Sequence, residues 1–182
     1  MAGTSIPFAR DQRDHSPAAR VSEPRPALDA VARVQRGVVA GSVAGAAALG
    51  LLLGIGRRAG TAWRPINAAA HGVIGAQAEG VWTYHGSVTP TGGLVVLVVS
   101  VAAGVVVARI TPSFRTLHVA ATAAGLLLAG YLLHLHVVAR TPGGLAALLS
   151  VGELRGLYLT LGVALVAGMR FAFSAPDRSL EP

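Results

Sequence analysis

The sequence predicts an all-α membrane protein with four transmembrane helices, and three observations carry that prediction. Of 182 residues, 53% are apolar and only 13% charged, against roughly 25% charged in an ordinary soluble domain. The apolar residues come in blocks of about twenty, the length at which a helix rising 1.5 Å per residue crosses about 30 Å of hydrocarbon. Between the blocks lie arginines, prolines, glycines and the two tryptophans, a composition suited to the membrane–water boundary.

Residues 1–33 read as a disordered N-terminal tail, 34–173 as the transmembrane domain and 174–182 as a polar C-terminal tail. The first tail mixes Arg, Asp, Ser and Pro with few large apolar groups, too little to offset the entropy of ordering it. Within it, PALDAVARVQR from Pro26 sets Leu28, Val31 and Ala32 on one side and is able to begin a helix. A secretory signal is not expected, since the first long apolar run starts only near Gly37 and no small-residue cleavage site follows.

The first span is 37–56. Gly37, Gly41 and Gly45 recur every four residues, and Gly50 and Gly54 repeat the interval. Small residues at that spacing make a flat groove that admits another helix closely, within the chain or on a partner. GIGRRAG follows no strand of a βαβ unit, so it is not a nucleotide loop. The stretch 57–91 is too polar to span. Pro65 suits the first position of a short interfacial or re-entrant helix near 65–82, with Asn67, His71 and Gly75 on one face and Trp63 and Trp82 at its flanks. A glycine-broken loop is the other reading.

The second span, 93–110, is valine-rich and entered through Thr-Pro-Thr-Gly-Gly. The third, 117–138, follows a short connection, which makes the two antiparallel neighbours. Arg140-Thr-Pro-Gly-Gly stops it, and a short interfacial piece is expected over 145–152. The fourth span, 154–173, contains Arg170 close to its end, where arginine reaches back to the interface.

All 15 basic residues are arginine. They flank apolar runs or sit in the tail, with no aromatic-studded basic face for stacking bases, so nucleic acid is not an expected partner. Ten arginines fall on the side of the two termini: Arg10, Arg13, Arg20, Arg25, Arg33, Arg36, Arg109, Arg115, Arg170 and Arg178. The other side holds five: Arg57, Arg58, Arg64, Arg140 and Arg155. The positive-inside rule then places both termini in the cytoplasm. Cysteine is absent, which excludes disulfides, thiolate metal sites and thiol nucleophiles.

Four spans bring His71, His85, His134 and His136 to one membrane face and leave His118 at the other. With Asn67 they form the candidate ligand or polar cluster. His134 and His136 are two apart, about 200° around a helix, so they cannot clasp one ion. A haem or metal site would need different segments, for instance His71 with His134, while hydrogen bonding to backbone or water is the simpler role. Glu79 and Glu153 share this side and are available to pair with Arg64 or Arg155.

WRPINAAAHGVIG resembles the Pro-x-Asn-x-x-x-His-x-x-x-Gly signature of a family of small four-span bacterial inner-membrane proteins of no established function. Pro65, Asn67, His71 and Gly75 match it, and YLLHLHVVARTPGGLAALLS is similar to the family's later pattern through Tyr131, His136, Arg140, Pro142 and Gly143. The family carries acidic residues where this chain has His134 and again soon after the Pro-Gly, at Gly144 and Leu145. The resemblance implies a fold and an address in the inner membrane, and no activity.

No nucleophile–base set or phosphate loop can be assembled. The leading expectation is therefore a non-enzymatic accessory or assembly component, packed through its glycine-rich face against lipid, other membrane proteins or itself, with no cofactor. A haem- or metal-binding redox protein using the one-sided histidines is the alternative. A small transporter is the third class, disfavoured by the scarcity of acidic residues within the spans.

Overall fold

A computed structural model describes residues 26–111, 115–138 and 143–174. Among them are seven α-helices: α1 (Pro26–Arg58), α2 (Arg64–Ala69), α3 (His71–Ile74), α4 (Val88–Ile110), α5 (Thr116–His136), α6 (Gly144–Leu148) and α7 (Val151–Ser174). A 3-10 turn, Gly75–Ala78, follows α3. Four of the helices, α1, α4, α5 and α7, are long and apolar enough to cross a membrane, which makes the chain a multi-pass membrane protein. Leu94, Val98, Leu117, Leu128, Leu133, Leu159, Val163 and Phe171 stand exposed on their outer surfaces. Such a surface would aggregate in water and suits lipid.

The boundaries differ from the sequence reading for local reasons. The first helix starts at Pro26, so 26–33 is helix and not tail; proline belongs at a first helical position because its missing N–H has no partner there anyway. Residues 1–25 lie outside the described residues, as do Arg140, Pro142 and the end of the C-terminal tail. The second long helix starts at Val88, ahead of the expected 93. Pro90 falls in its first turn, where it breaks no backbone hydrogen bond, and the Thr91 hydroxyl donates back to the Ser87 carbonyl at 2.7 Å. The last helix starts at Val151, not 154, because Ser150 and Glu153 cap it reciprocally. The Ser150 N–H donates to Glu153 Oε2 at 2.9 Å, and the Glu153 N–H donates to Ser150 Oγ at 3.3 Å. The third helix ends at His136, two residues short of the expected 138.

The segment 65–82 is not one helix. Gly75 has φ 67°, a conformation that ends a right-handed helix and that side-chain-bearing residues rarely adopt. The chain folds here as the short helices α2 and α3 and the 3-10 turn Gly75–Ala78.

α1 is the hub, packed along α4 on one side and α7 on another, with α5 resting mainly on α7. In its most apolar stretch 39% is buried inside the protein, against 11% for α5. All three pairs run antiparallel. Gly37 faces Val105 while Gly45 faces Leu97; Ala40 meets Gly168; Leu127 meets Gly162 while Tyr131 meets Arg155. A methyl group at Gly37 would lie 2.6 Å from Val105 Cα, and one at Gly104 would lie 2.7 Å from Gly41 N. The two backbones are in contact, as small-residue faces allow.

Gly50 and Gly54 do not join that contact; among the described residues no atom from beyond the local helix backbone lies within 4 Å of either Cβ position. The reason is a step of five between Gly45 and Gly50, which turns the later pair about 140° away around the helix.

Candidate functional site

Antiparallel packing gathers the end of α1, the start of α4, the end of α5 and the start of α7 at one end of the bundle. The short helices α2 and α6 close that end, with α3 beside α6. Ile66 of α2 sits in an apolar cluster with Leu52, Ile55, Leu149, Leu154 and Leu157. Its carbonyl lies so close to Gly92 that any side chain there would overlap it. This cap is what positions the candidate residues.

Asn67 is fully buried. Its Nδ2 donates to the carbonyls of Val81 and Thr83, both at 2.9 Å, and its Oδ1 accepts from Thr89 Oγ1 at 2.7 Å. Thr89 Oγ1 accepts in turn from the His85 N–H at 3.0 Å. Both amide hydrogens and the carbonyl are engaged, so Asn67 is a latch joining α2 to the loop before α4 and offers nothing to a ligand. Aromatic contacts hold the same loop. Trp63 meets Tyr84 edge-on at 5.4 Å, and the Arg64 guanidinium lies 4.2 Å above the Trp82 ring.

His71 is half-buried, with Nδ1 2.9 Å from Glu79 Oε1. That separation suits an ion pair, although the approach is not in line for a hydrogen bond. Both side chains press on the glycines that open α6. Gly143 has φ 89°, and a methyl group there would overlap the Glu79 carboxylate and lie 2.8 Å from His71 Cε1. Glu79 thus pairs with histidine and not with Arg64. Glu153 is used in capping α7, and Arg155 instead donates from Nε to the Tyr131 hydroxyl at 3.1 Å.

His71 also lines a half-open chamber of about 410 Å³ that runs under the cap between α1, α4, α5 and α7, with Val99 and Val138 exposed at its rim. Small-molecule sites span roughly 300–1,000 Å³. Its side-chain polar groups come from His71, Ser100, His134 and Tyr158; Leu52, Val96, Leu157 and Leu161 are among the apolar remainder. Ser100 donates to the Val96 carbonyl at 2.8 Å, so its hydroxyl hydrogen is committed to its own helix. His134 Nδ1 lies 3.3 Å from the Tyr158 hydroxyl, which donates to the Gly130 carbonyl at 3.2 Å. A phenol has one hydrogen, so with that hydrogen on the Gly130 carbonyl a neutral His134 carries its proton on Nδ1 and its lone pair on Nε2. Nε2 is shut off from solvent with no hydrogen-bond partner among the described residues.

The structure therefore brings two of the four one-sided histidines, His71 and His134, to one chamber. His85 is exposed in the loop before α4, with Nδ1 3.2 Å from Ser87 Oγ, and His136 is exposed at the end of α5. Among the described residues no three His, Cys, Asp or Glu side chains converge as a metal site. The titratable side chains among the described residues of its wall are His71, His134 and Tyr158. Sequence reasoning missed Tyr158 and Ser100 in the chamber and Thr89 in the latch. Ser150-Val-Gly-Glu153 was a legible helix-start signature. Nothing in sequence spacing connects Tyr158 to His134, 24 residues earlier in the chain.

Comparison with known proteins returned no match, whether to a family model, a curated protein or a solved structure.

Proposed function

We propose that the chain is a non-enzymatic accessory protein of a bacterial inner membrane that holds a small apolar molecule in the chamber beneath its cap. One observation carries this reading: an apolar chamber of about 410 Å³ with two histidines, a serine and a tyrosine in its wall. Few convergent polar groups in an apolar hollow is the usual composition of a ligand site. The address rests on the resemblance of Pro65, Asn67, His71 and Gly75 to the signature of four-span inner-membrane proteins. The placement of both termini in the cytoplasm rests on the arginine bias. A partner would dock on faces other than Gly37–Gly45, since α4 already covers that one.

Mass spectrometry of organic extracts tests the reading on the purified full chain. A small molecule retained by the wild type and lost when Val95→Trp fills the chamber supports it. Matching extracts from the two proteins overturn it.

A haem-binding reading stands second, favoured by His71 and His134 reaching one chamber from different segments. It predicts a coloured protein whose absorption is lost in both His71→Ala and His134→Ala. A colourless, metal-free preparation ends it.

A further inference from the structure

We infer that a second hollow, the groove between α5 and α7, binds one anionic phospholipid, with the phosphate on Arg155 and an acyl chain along the groove. The groove is an open furrow offering about 650 Å³. Its floor is hollow because α5 contributes Ala120, Ala123 and Ala124 while α7 contributes Gly162, whose missing side chain is approached, among the described residues, by Leu127 Cδ1 at 3.0 Å. Tyr158 props the helices apart, its ring 3.3 Å from the Cβ position of Gly130. A hollow open to a bilayer does not stay empty, and acyl chains are its immediate surroundings. Ala120 to Tyr131 covers about 16 Å of helix, close to one leaflet's share of a hydrocarbon core about 30 Å thick.

Charge selects the headgroup. Arg155 and Tyr131 line one end of the groove, about one turn from the start of α7, at the level where headgroups lie. The Arg155 Nε–H is bound to the Tyr131 hydroxyl at 3.1 Å, which fixes the guanidinium plane. That bond uses only Nε–H and leaves the two terminal nitrogens, a forked pair of donors of the kind that phosphate accepts in two parallel bonds. The nearby carboxylate, Glu153, is turned to Ser150, so it does not neutralise the arginine. A zwitterionic lipid brings its own cation to that point; an anionic one does not.

Native mass spectrometry of the full chain in mild detergent, with phosphatidylglycerol or phosphatidylcholine added at equal concentration, tests this. The expected result is a single tightly held phosphatidylglycerol, favoured about fivefold, the size of one arginine's attraction for an anionic lipid. Arg155→Gln removes that preference, Gly162→Leu weakens binding of both lipids, and Arg115→Gln at the opposite end changes neither. Equal binding of the two lipids by the wild type overturns the inference, and that arm needs no variant to fold. So does a dimer that Gly162→Leu dissolves, since the occupant would then be a second copy's helix.

Discussion

Asn67 has no exposed surface and spends three hydrogen bonds on partners from two further stretches of chain. Replacing it by leucine keeps the branched outline, adds some bulk and strands the Thr89 hydroxyl and two carbonyls. At about 1–3 kcal/mol for a buried group left unsatisfied, Asn67→Leu should lower stability by about 3 kcal/mol, read as an earlier unfolding transition in detergent. An unchanged transition would show that the latch does not hold the cap. The sequence singled out Asn67 by its spacing from His71, but the spacing carried no information on role. Whether an asparagine is a ligand or a latch depends on which carbonyls meet its amide, and these come from Val81 and Thr83. His71 and His134 were likewise legible as one-sided, while the chamber they share needs the packing of four helices.

At the scale of elements, the α1–α4 contact depends on the absence of side chains. A methyl group at Gly41 would lie 2.9 Å from Val101 N, and others at Gly37 and Gly104 would also meet backbone. Backbone cannot move aside as a flexible side chain can. Gly41→Leu should therefore separate the helices and yield aggregated protein on size-exclusion chromatography. Gly50→Ala, which faces open space, should leave the elution unchanged and raise stability by about 0.5–1 kcal/mol through helix propensity. Equal behaviour of the two variants would mean that the contact does not exist. The four-residue spacing made this face visible in advance, and the five-residue step to Gly50 could have excluded the later pair. Gly104, Gly92 and Gly168 were not visible as contacts, because a lone glycine in an apolar helix carries no mark of what lies opposite.

At the scale of the whole molecule, four crossings put Gly60 and Arg115 at opposite ends of the bundle, since they follow α1 and precede α5. With no native cysteine in the chain, Gly60→Cys and Arg115→Cys should react with a membrane-impermeant maleimide from opposite faces of sealed vesicles. Labelling from the same face would remove one crossing and with it the shared chamber. The number and rough limits of the spans followed from sequence alone, because the length needed to cross hydrocarbon and the cost of unpaired backbone in lipid are properties of each segment by itself. The hub position of α1, the cap built from 64–78 with α6, and the joining of His134 to Tyr158 were decided only in the tertiary structure. Lipid solvates every apolar face almost equally well, so hydropathy cannot rank one helix contact above another. Close packing and hydrogen bonding make that choice.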